Sequence, residues 1–378
     1  MRPRFFVAVI ALVVVAGMVC LDLRPVRAGE EPSASGYKVL EPIRHGSLTV
    51  FPVVAARSYA TGEFLTLDEG LRSGEVVVTE YGNVHGLMRR RPAPAVQMQN
   101  AEVNRLVLIN NAKRPLLLLA GEIVTGGKQD RVIGKDRIVP AESDPVDLSV
   151  FCVEPGRWVA SSEHFGASGA TYGGAIGGAA SGTLMAQPSV RAKAMGDKDQ
   201  AEVWAEVKKQ QQSVAVEVTA AAPASTREIQ STSSYARVME NKDVKEKVDE
   251  IAAPIQQNYE SLIKQLRDRK AVGVVVAVNG RIIWADVFAS TDLLERYWPK
   301  LVRSYASEAV VSRAKGGEVS SAQAEAFLAD TEGRRETIEI EPGVYRHTEA
   351  NGDGFKAFAL TSLLPKTGFD LHIAKMAE

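Results

Sequence analysis

Cysteine is nearly absent from this chain: two residues in 378, Cys20 and Cys152. Cys20 lies in an apolar N-terminal segment. A chain that loses that segment keeps one thiol, forms no internal disulfide and depends on its packed core. Histidine is scarce too, with His45, His85, His164, His347 and His372 the full set. No CxxC or HxxxH spacing occurs, so no metal site is expected. No GxxxxGK[ST] loop is present, no GxGxxG opens a helix after a strand, and no cofactor is expected. A GxSxG elbow is also missing, which weighs against a serine hydrolase. There is no excess of either charge. The net charge of −1 supplies no global field for nucleic acid, and no nucleic-acid partner is expected. The run Arg89-Arg90-Arg91 has no interleaved aromatic residues and reads as a solvated loop. No internal repeat with a period of about 20–50 residues is evident.

What remains is an ordinary globular composition, 45% hydrophobic and 24% charged, long enough for one large domain or two. The N-terminus carries Arg2 and Arg4, then an apolar stretch over 5–21 interrupted by Gly17, then Val26-Arg27-Ala28. This pattern predicts a signal peptide over 1–28, cleaved after Ala28, and an exported chain, periplasmic or extracellular. Arg24 and Arg27 follow the apolar stretch and keep an uncleaved N-terminal membrane anchor as the alternative. Residues 29–36 read as a mobile polar tail.

From Tyr37 the pattern is strand-rich. Strands are expected over 48–54, 63–67 and 75–80, with Asp68 capping a short helical turn that Gly74 ends. Residues 105–109 and 116–119 read as a hairpin with a longer loop. Two further strands are expected over 131–139 and 146–153. In the second, Val146, Leu148, Val150 and Cys152 share one face, so the thiol is expected to be packed. Residues 161–190 are rich in Gly, Ala and Ser and read as a surface loop rather than a phosphate cradle. A helix follows over 197–216, with Asp197 and Gln200 at its start. Val244, Val248, Ile251, Ile255, Tyr259, Leu262 and Leu266 then mark an amphipathic helix bent at Pro254. Asn279-Gly280 between two β-rich runs predicts a type I′ hairpin. Asp292 and Glu295 start a helix interrupted at Pro299, Ser320 and Gln323 cap another, and strands close the chain over 355–360 and 369–373. Strands in runs and helices in runs predict an α+β fold. Its N-terminal half is rich in antiparallel strands, its C-terminal part is built of hairpins, and a central group of helices packs on the sheet system. The two strand-rich ends are expected to share a sheet.

Chemistry-bearing residues concentrate over 116–158, where polar side chains sit at the ends of apolar strands. Glu122 follows the run Leu116–Ala120 and can act as a general base if burial raises its pKa. Its competing reading is an ion pair with Lys128 or Arg131. Gly126-Gly127 offers a turn with outward-facing N–H groups, and Lys128 and Arg131 beside it can meet an anion. Cys152 as a nucleophile needs a base, and no histidine is locally paired with it.

LLLLAGEIVTGGKQDRV and VFCVEPGRW, with LDEGLRSGEVVVTE, VAVNGRIIWADVF and WPKLVRSYASEA, resemble the ARG and rhodanese-phosphatase-superfamily-associated domain family. The resemblance spans nearly the whole chain beyond the N-terminal segment and implies a single domain over 37–376. It is specific for the family and not for a reaction. The family's name implies an association with ADP-ribosylglycohydrolases and phosphatases, and so with nucleotide or ADP-ribose metabolism. Matching the shared pattern, Glu122 and Glu154 are the candidate acid/base residues. Gly126, Gly127, Lys128, Gln129, Arg131, Arg157 and Trp158 are the candidate ligand-binding residues. These are mostly binding types, and no complete catalytic set is visible. The expected function is therefore binding of a small anionic ligand or an exported protein partner through a charged cleft around 122–158. The alternative is a hydrolase for a phosphorylated, nucleotide-like or ADP-ribose-like substrate.

Overall fold

Asn279 and Gly280 both have positive φ, 49° and 75°, and the β-branched runs they join form the expected hairpin. That hairpin is the middle of the largest sheet. The computed structural model describes residues 36–80, 105–156, 162, 164–166, 184–219, 222–266, 269–312 and 317–378. The expected signal segment, Arg89–Arg91, Arg157, Trp158 and most of the Gly/Ala/Ser-rich loop lie outside these residues.

In chain order, the first strands are β1 (Tyr37–Val39), β2 (Ile43–His45), β3 (Leu48–Ala55) and β4 (Leu65–Thr66), followed by helix α1 (Leu67–Ser73). Then come β5 (Val76–Glu80), β6 (Arg105–Asn110), β7 (Leu116–Leu118), β8 (Glu122–Gly126), β9 (Arg131–Ile133), β10 (Arg137–Val139), β11 (Val146–Cys152), β12 (His164–Gly166) and β13 (Leu184–Met185). The helical part holds α2 (Pro188–Ala192), a π-helical turn (Lys193–Asp197), α3 (Gln200–Thr219), α4 (Pro223–Ser231), α5 (Tyr235–Glu240) and α6 (Lys242–Gln265). The hairpin β14 (Lys270–Val278) and β15 (Arg281–Phe288) leads to α7 (Thr291–Val311) and α8 (Ser321–Ala329). The chain closes with β16 (Gly333–Glu341), β17 (Tyr345–Gly352), β18 (Phe355–Ser362) and β19 (Asp370–Ala377). This is an α+β fold.

The largest sheet has nine antiparallel strands in the order β1-β3-β14-β15-β19-β18-β17-β16, with β2 also paired to β3. The N-terminal strands thus cross to the C-terminal ones, as expected. Strand alternation gives this sheet two different faces. Val274, Val276 and Trp284 face the helical layer and join the main core with residues of α3, α6 and α7. Phe51, Val53, Val275 and Val287 face the other way, toward α8. The stripe on α6 is core: Val244, Val248, Ile255 and Tyr259 are buried.

Strands β5, β6, β8, β9, β11, β12 and β13 build a second sheet. β5 pairs β6, β6 pairs β11, β11 pairs β9, β9 pairs β8, β8 pairs β12, and β12 returns to β5, every pairing antiparallel. The ring is a small closed barrel, filled by residues such as Val78, Leu108, Val124 and Val150. β13 adds to β8, and a third sheet runs β10-β7-β4 with β4 parallel to β7.

Several expectations are corrected. The 105–119 hairpin does not form, because β6 pairs β5 and β11 while β7 pairs β10 and β4. Asn110 diverts the chain, its side-chain amide donating to the carbonyls of Arg114, Val139 and Pro140. The 131–139 strand is two strands in different sheets. It breaks at Gly134, where a Cβ would lie 2.8 Å from the Phe151 ring. Helix starts also differ. Thr66 rather than Asp68 caps α1, through a capping box with Glu69. Asp199 rather than Asp197 accepts from the first amides of α3, and Ser290 rather than Asp292 caps α7. Both α6 and α7 continue through their internal prolines. The strands β16 and β17 were not expected, because the charged composition of β16 hides its strand pattern.

Candidate functional site

Among the described residues, Glu122 and Glu154 stand apart, Glu122 beneath one cavity and Glu154 in the wall of another. Glu122 opens β8, directly after Gly121, whose φ of 96° turns the chain there. Its side chain is fully buried, and Oε2 accepts from the Leu119 amide at 2.8 Å. Oε1 pairs with the ammonium of Lys300, far off in sequence on α7, and not with Lys128 or Arg131. Lys300 also holds Asp68 at 2.8 Å and lies 4.7 Å from the Tyr297 ring centroid. Burial raises the Glu122 pKa, and Lys300 and the Leu119 amide offset this only in part. For Lys300 burial acts in the lowering direction, but the Glu122 and Asp68 carboxylates outweigh it and its pKa is raised.

The glycine turn is occupied from within. Gly126 N–H donates to Asp130 Oδ1 at 3.1 Å, Gly127 N–H to Ser162 Oγ at 3.2 Å, and Lys128 N–H to Glu80 Oε1 at 2.9 Å. The outward-facing N–H groups expected at this turn are therefore already taken up by protein acceptors. Gln129 is buried and donates to the Glu154 carbonyl at 3.1 Å. Asp130 receives Ser234 Oγ at 2.7 Å, which ties the turn to the start of α5. Arg131 is fully buried and stands cross-strand to both Val124 and Cys152, so it points into the barrel.

Glu154 is 3% exposed, and its carboxylate accepts from the Asp130 amide at 3.1 Å. It lines a cavity of about 290 Å3 together with Glu228, Thr232, Arg237 and Asn241. Cys152 is buried as expected, and burial raises its thiol pKa. Gln200 grips its backbone, accepting from the Cys152 amide at 2.8 Å and donating to its carbonyl at 2.9 Å. The sulfur itself accepts from the Glu154 amide at 3.3 Å, and a buried thiol with a raised pKa lacks the thiolate character of a nucleophile.

A larger cavity, of about 480 Å3, lies over Lys300. Its wall carries the cations Arg72, Lys245, Arg296, Lys300 and Arg303 and the carboxylates Asp68, Glu240 and Asp249. Arg296, Lys300 and Arg303 follow one another at spacings of four and three on α7, which puts them on one side of the helix. Arg296 is fixed by the Phe64 carbonyl at 2.8 Å and by Asp292 at 2.8 Å, Arg303 pairs with Asp249, and Lys245 pairs with Glu240 at 3.3 Å. None of the described candidate residues read from the sequence lines this cavity, and Glu122 lies buried beneath it, paired with Lys300. The α7 cations were overlooked, although their helical spacing is visible around the WPKLVRSYASEA stretch. Among the described residues, no group of three or more His, Cys, Asp or Glu side chains is placed to hold a metal ion.

No curated protein and no solved structure matches the chain. The sequence profile of the ARG and Rhodanese-Phosphatase-superfamily-associated Protein domain matches residues 36–373, nearly the full length, and the chain belongs to that family.

Proposed function

We propose that the protein binds a small anionic ligand in the cavity over Lys300, and that it does so as an exported protein. The observation that carries this reading is the cavity wall, where five cations, Arg72, Lys245, Arg296, Lys300 and Arg303, converge on one concave space. A concave space of about 480 Å3 falls in the range of small-molecule sites, roughly 300–1,000 Å3. A concave site also favours a small ligand over a protein partner, which needs a broader face. Glu122 and Asp68 hold Lys300 in place beneath the cavity, while Arg303 and Lys245 are paired near its mouth, where an incoming anion can compete with their carboxylates.

The alternative is a hydrolase for a phosphorylated, nucleotide-like or ADP-ribose-like substrate, with Glu122 or Glu154 as acid or base. Glu154 lines a different cavity, and Glu122 meets this one only through Lys300. Binding is therefore the better supported reading. Titration calorimetry with pyrophosphate and with ADP-ribose tests it. Saturable binding that weakens as salt is added is expected, and no heat at low salt with either probe counts against it. Release of phosphate or ribose during the titration would move the reading to the hydrolase. Export is tested by N-terminal sequencing. Gly29 as the first residue is expected, and Met1 on membrane-bound protein would replace export with an anchor.

A further inference from the structure

The outer face of the nine-stranded sheet, opposite α6 and α7, holds a third cavity, of about 140 Å3, beside the end of α8. Its origin is legible in the strands. In β18 the large residues Phe358 and Leu360 point to the helical core, while Ala357 and Ala359 point outward. Cross-strand partners continue this floor of small side chains: Ala357 stands opposite Ala350 on one side, and Ala359 opposite Thr348. The neighbouring part of the same face carries Phe51, Val53 and Val275 and packs against α8. The floor is thus recessed where the alanines lie, and Leu328 of α8 forms a wall.

Three cations line this recess, Arg335, Arg346 and Lys375. Lys375 is 4% exposed and stands cross-strand to Ala357. Its ammonium donates to the Phe327 and Asp330 carbonyls at the end of α8 and lies 3.6 Å from the Phe355 ring centroid. No carboxylate among the described residues forms an ion pair with it. Burial pushes its pKa down to about 8, which the nearby Asp330 carboxylate offsets only in part. Arg346 lines the cavity as well, and its Nε is buried with no acceptor among the described residues. The carboxylates at the rim are otherwise engaged, Asp330 by the Glu332 amide and Asp370 by Thr361. A buried guanidinium N–H without an acceptor carries a cost that an anion would remove.

We propose that this recess is a second binding site, for a small carboxylate with a compact apolar body, of the size and shape of an aromatic monocarboxylate. An apolar cavity of about 150 Å3 accommodates a benzene ring, and the alanine floor matches a flat ring. The carboxylate then takes the Arg346 fork, and the Lys375 ammonium adds attraction from the same recess. The site shares no lining residue with the cavity over Lys300, so the two occupancies are separable.

Benzoate is the probe. Saturable binding is expected by saturation-transfer NMR and calorimetry, with benzyl alcohol clearly weaker. Arg346→Gln should weaken benzoate by roughly tenfold or more. Ala359→Leu should abolish binding by filling the floor, with pyrophosphate binding unchanged as the control for folding. If Ala359→Leu fails to fold, Arg346→Gln alone carries the test, because it deletes no core side chain. The proposal is overturned if benzoate does not saturate the wild type, or if Arg346→Gln binds it as tightly as wild type.

Discussion

Arg191 and Asp286 form a fully buried two-pronged ion pair, Nη1 to Oδ2 and Nη2 to Oδ1, each at 2.9 Å. The arginine comes from α2 and the aspartate from β15, so the pair ties the helical layer to the nine-stranded sheet. The guanidinium also lies 4.4 Å from the Trp284 ring centroid, and Tyr305 donates to the same carboxylate. His372 bridges onward, with Nε2 3.1 Å from Asp286 and Nδ1 2.6 Å from Asp136, which in turn accepts from the Ala120 amide at 2.7 Å. Burial opposes the Asp286 charge, but Arg191 and His372 outweigh it and hold its pKa far below the usual carboxylate range. Every charged side chain in this chain of contacts is sealed from solvent, so its role is to join sheet, barrel and helices.

Removing one partner of that pair should be costly. Asp286→Ala leaves the Arg191 charge buried and should lower stability by roughly 3–5 kcal/mol in denaturant melts. Combining it with Arg191→Met should recover a large part of the loss, since no charge is then left unpaired. A double variant no more stable than Asp286→Ala would contradict the assignment.

The same network predicts a pH dependence. Burial alone would lower the His372 pKa, but the Asp136 and Asp286 carboxylates raise it from 6.5 to about 9. Between these values the folded chain binds more protons than the unfolded one, so stability falls as pH rises. The His372 contribution is complete below about pH 6.5 and lost by about pH 9, on the order of 3 kcal/mol. Lys375, pushed down to about 8, acts in the opposite sense from there up to its unperturbed 10.5. The difference between wild type and His372→Gln across this range therefore isolates the histidine. Parallel stability curves for the two proteins would show that His372 does not titrate in the network.

Much of the scaffold was readable from local chemistry. Asn279-Gly280 has one low-energy solution between β-branched runs, and the Ser320/Gln323 capping box and the α6 stripe are equally local. Cys152 followed from strand alternation alone. The barrel was not readable, since its closure rests on β12, three residues long, pairing with both β5 and β8. The site was misread for a related reason. Lys128 and Arg131 are the cations nearest Glu122 in sequence, yet β8 directs Glu122 toward α7 and Lys300. Asp286 and His372 gave a signal that went unused: each alternates with apolar residues on the inward face of its strand, Asp286 between Trp284 and Phe288 and His372 beside Ala374 and Met376.

The central claim is that the cations over Lys300 bind an anion. Pyrophosphate affinity of the Arg72→Gln/Arg303→Gln double variant against wild type tests it most directly. Both side chains lie toward the solvent side of the cavity, so the variant should melt like wild type. The expected result is at least roughly tenfold weaker binding at low salt, with the gap narrowing as salt rises. A folded double variant that binds pyrophosphate as tightly as wild type would contradict the account.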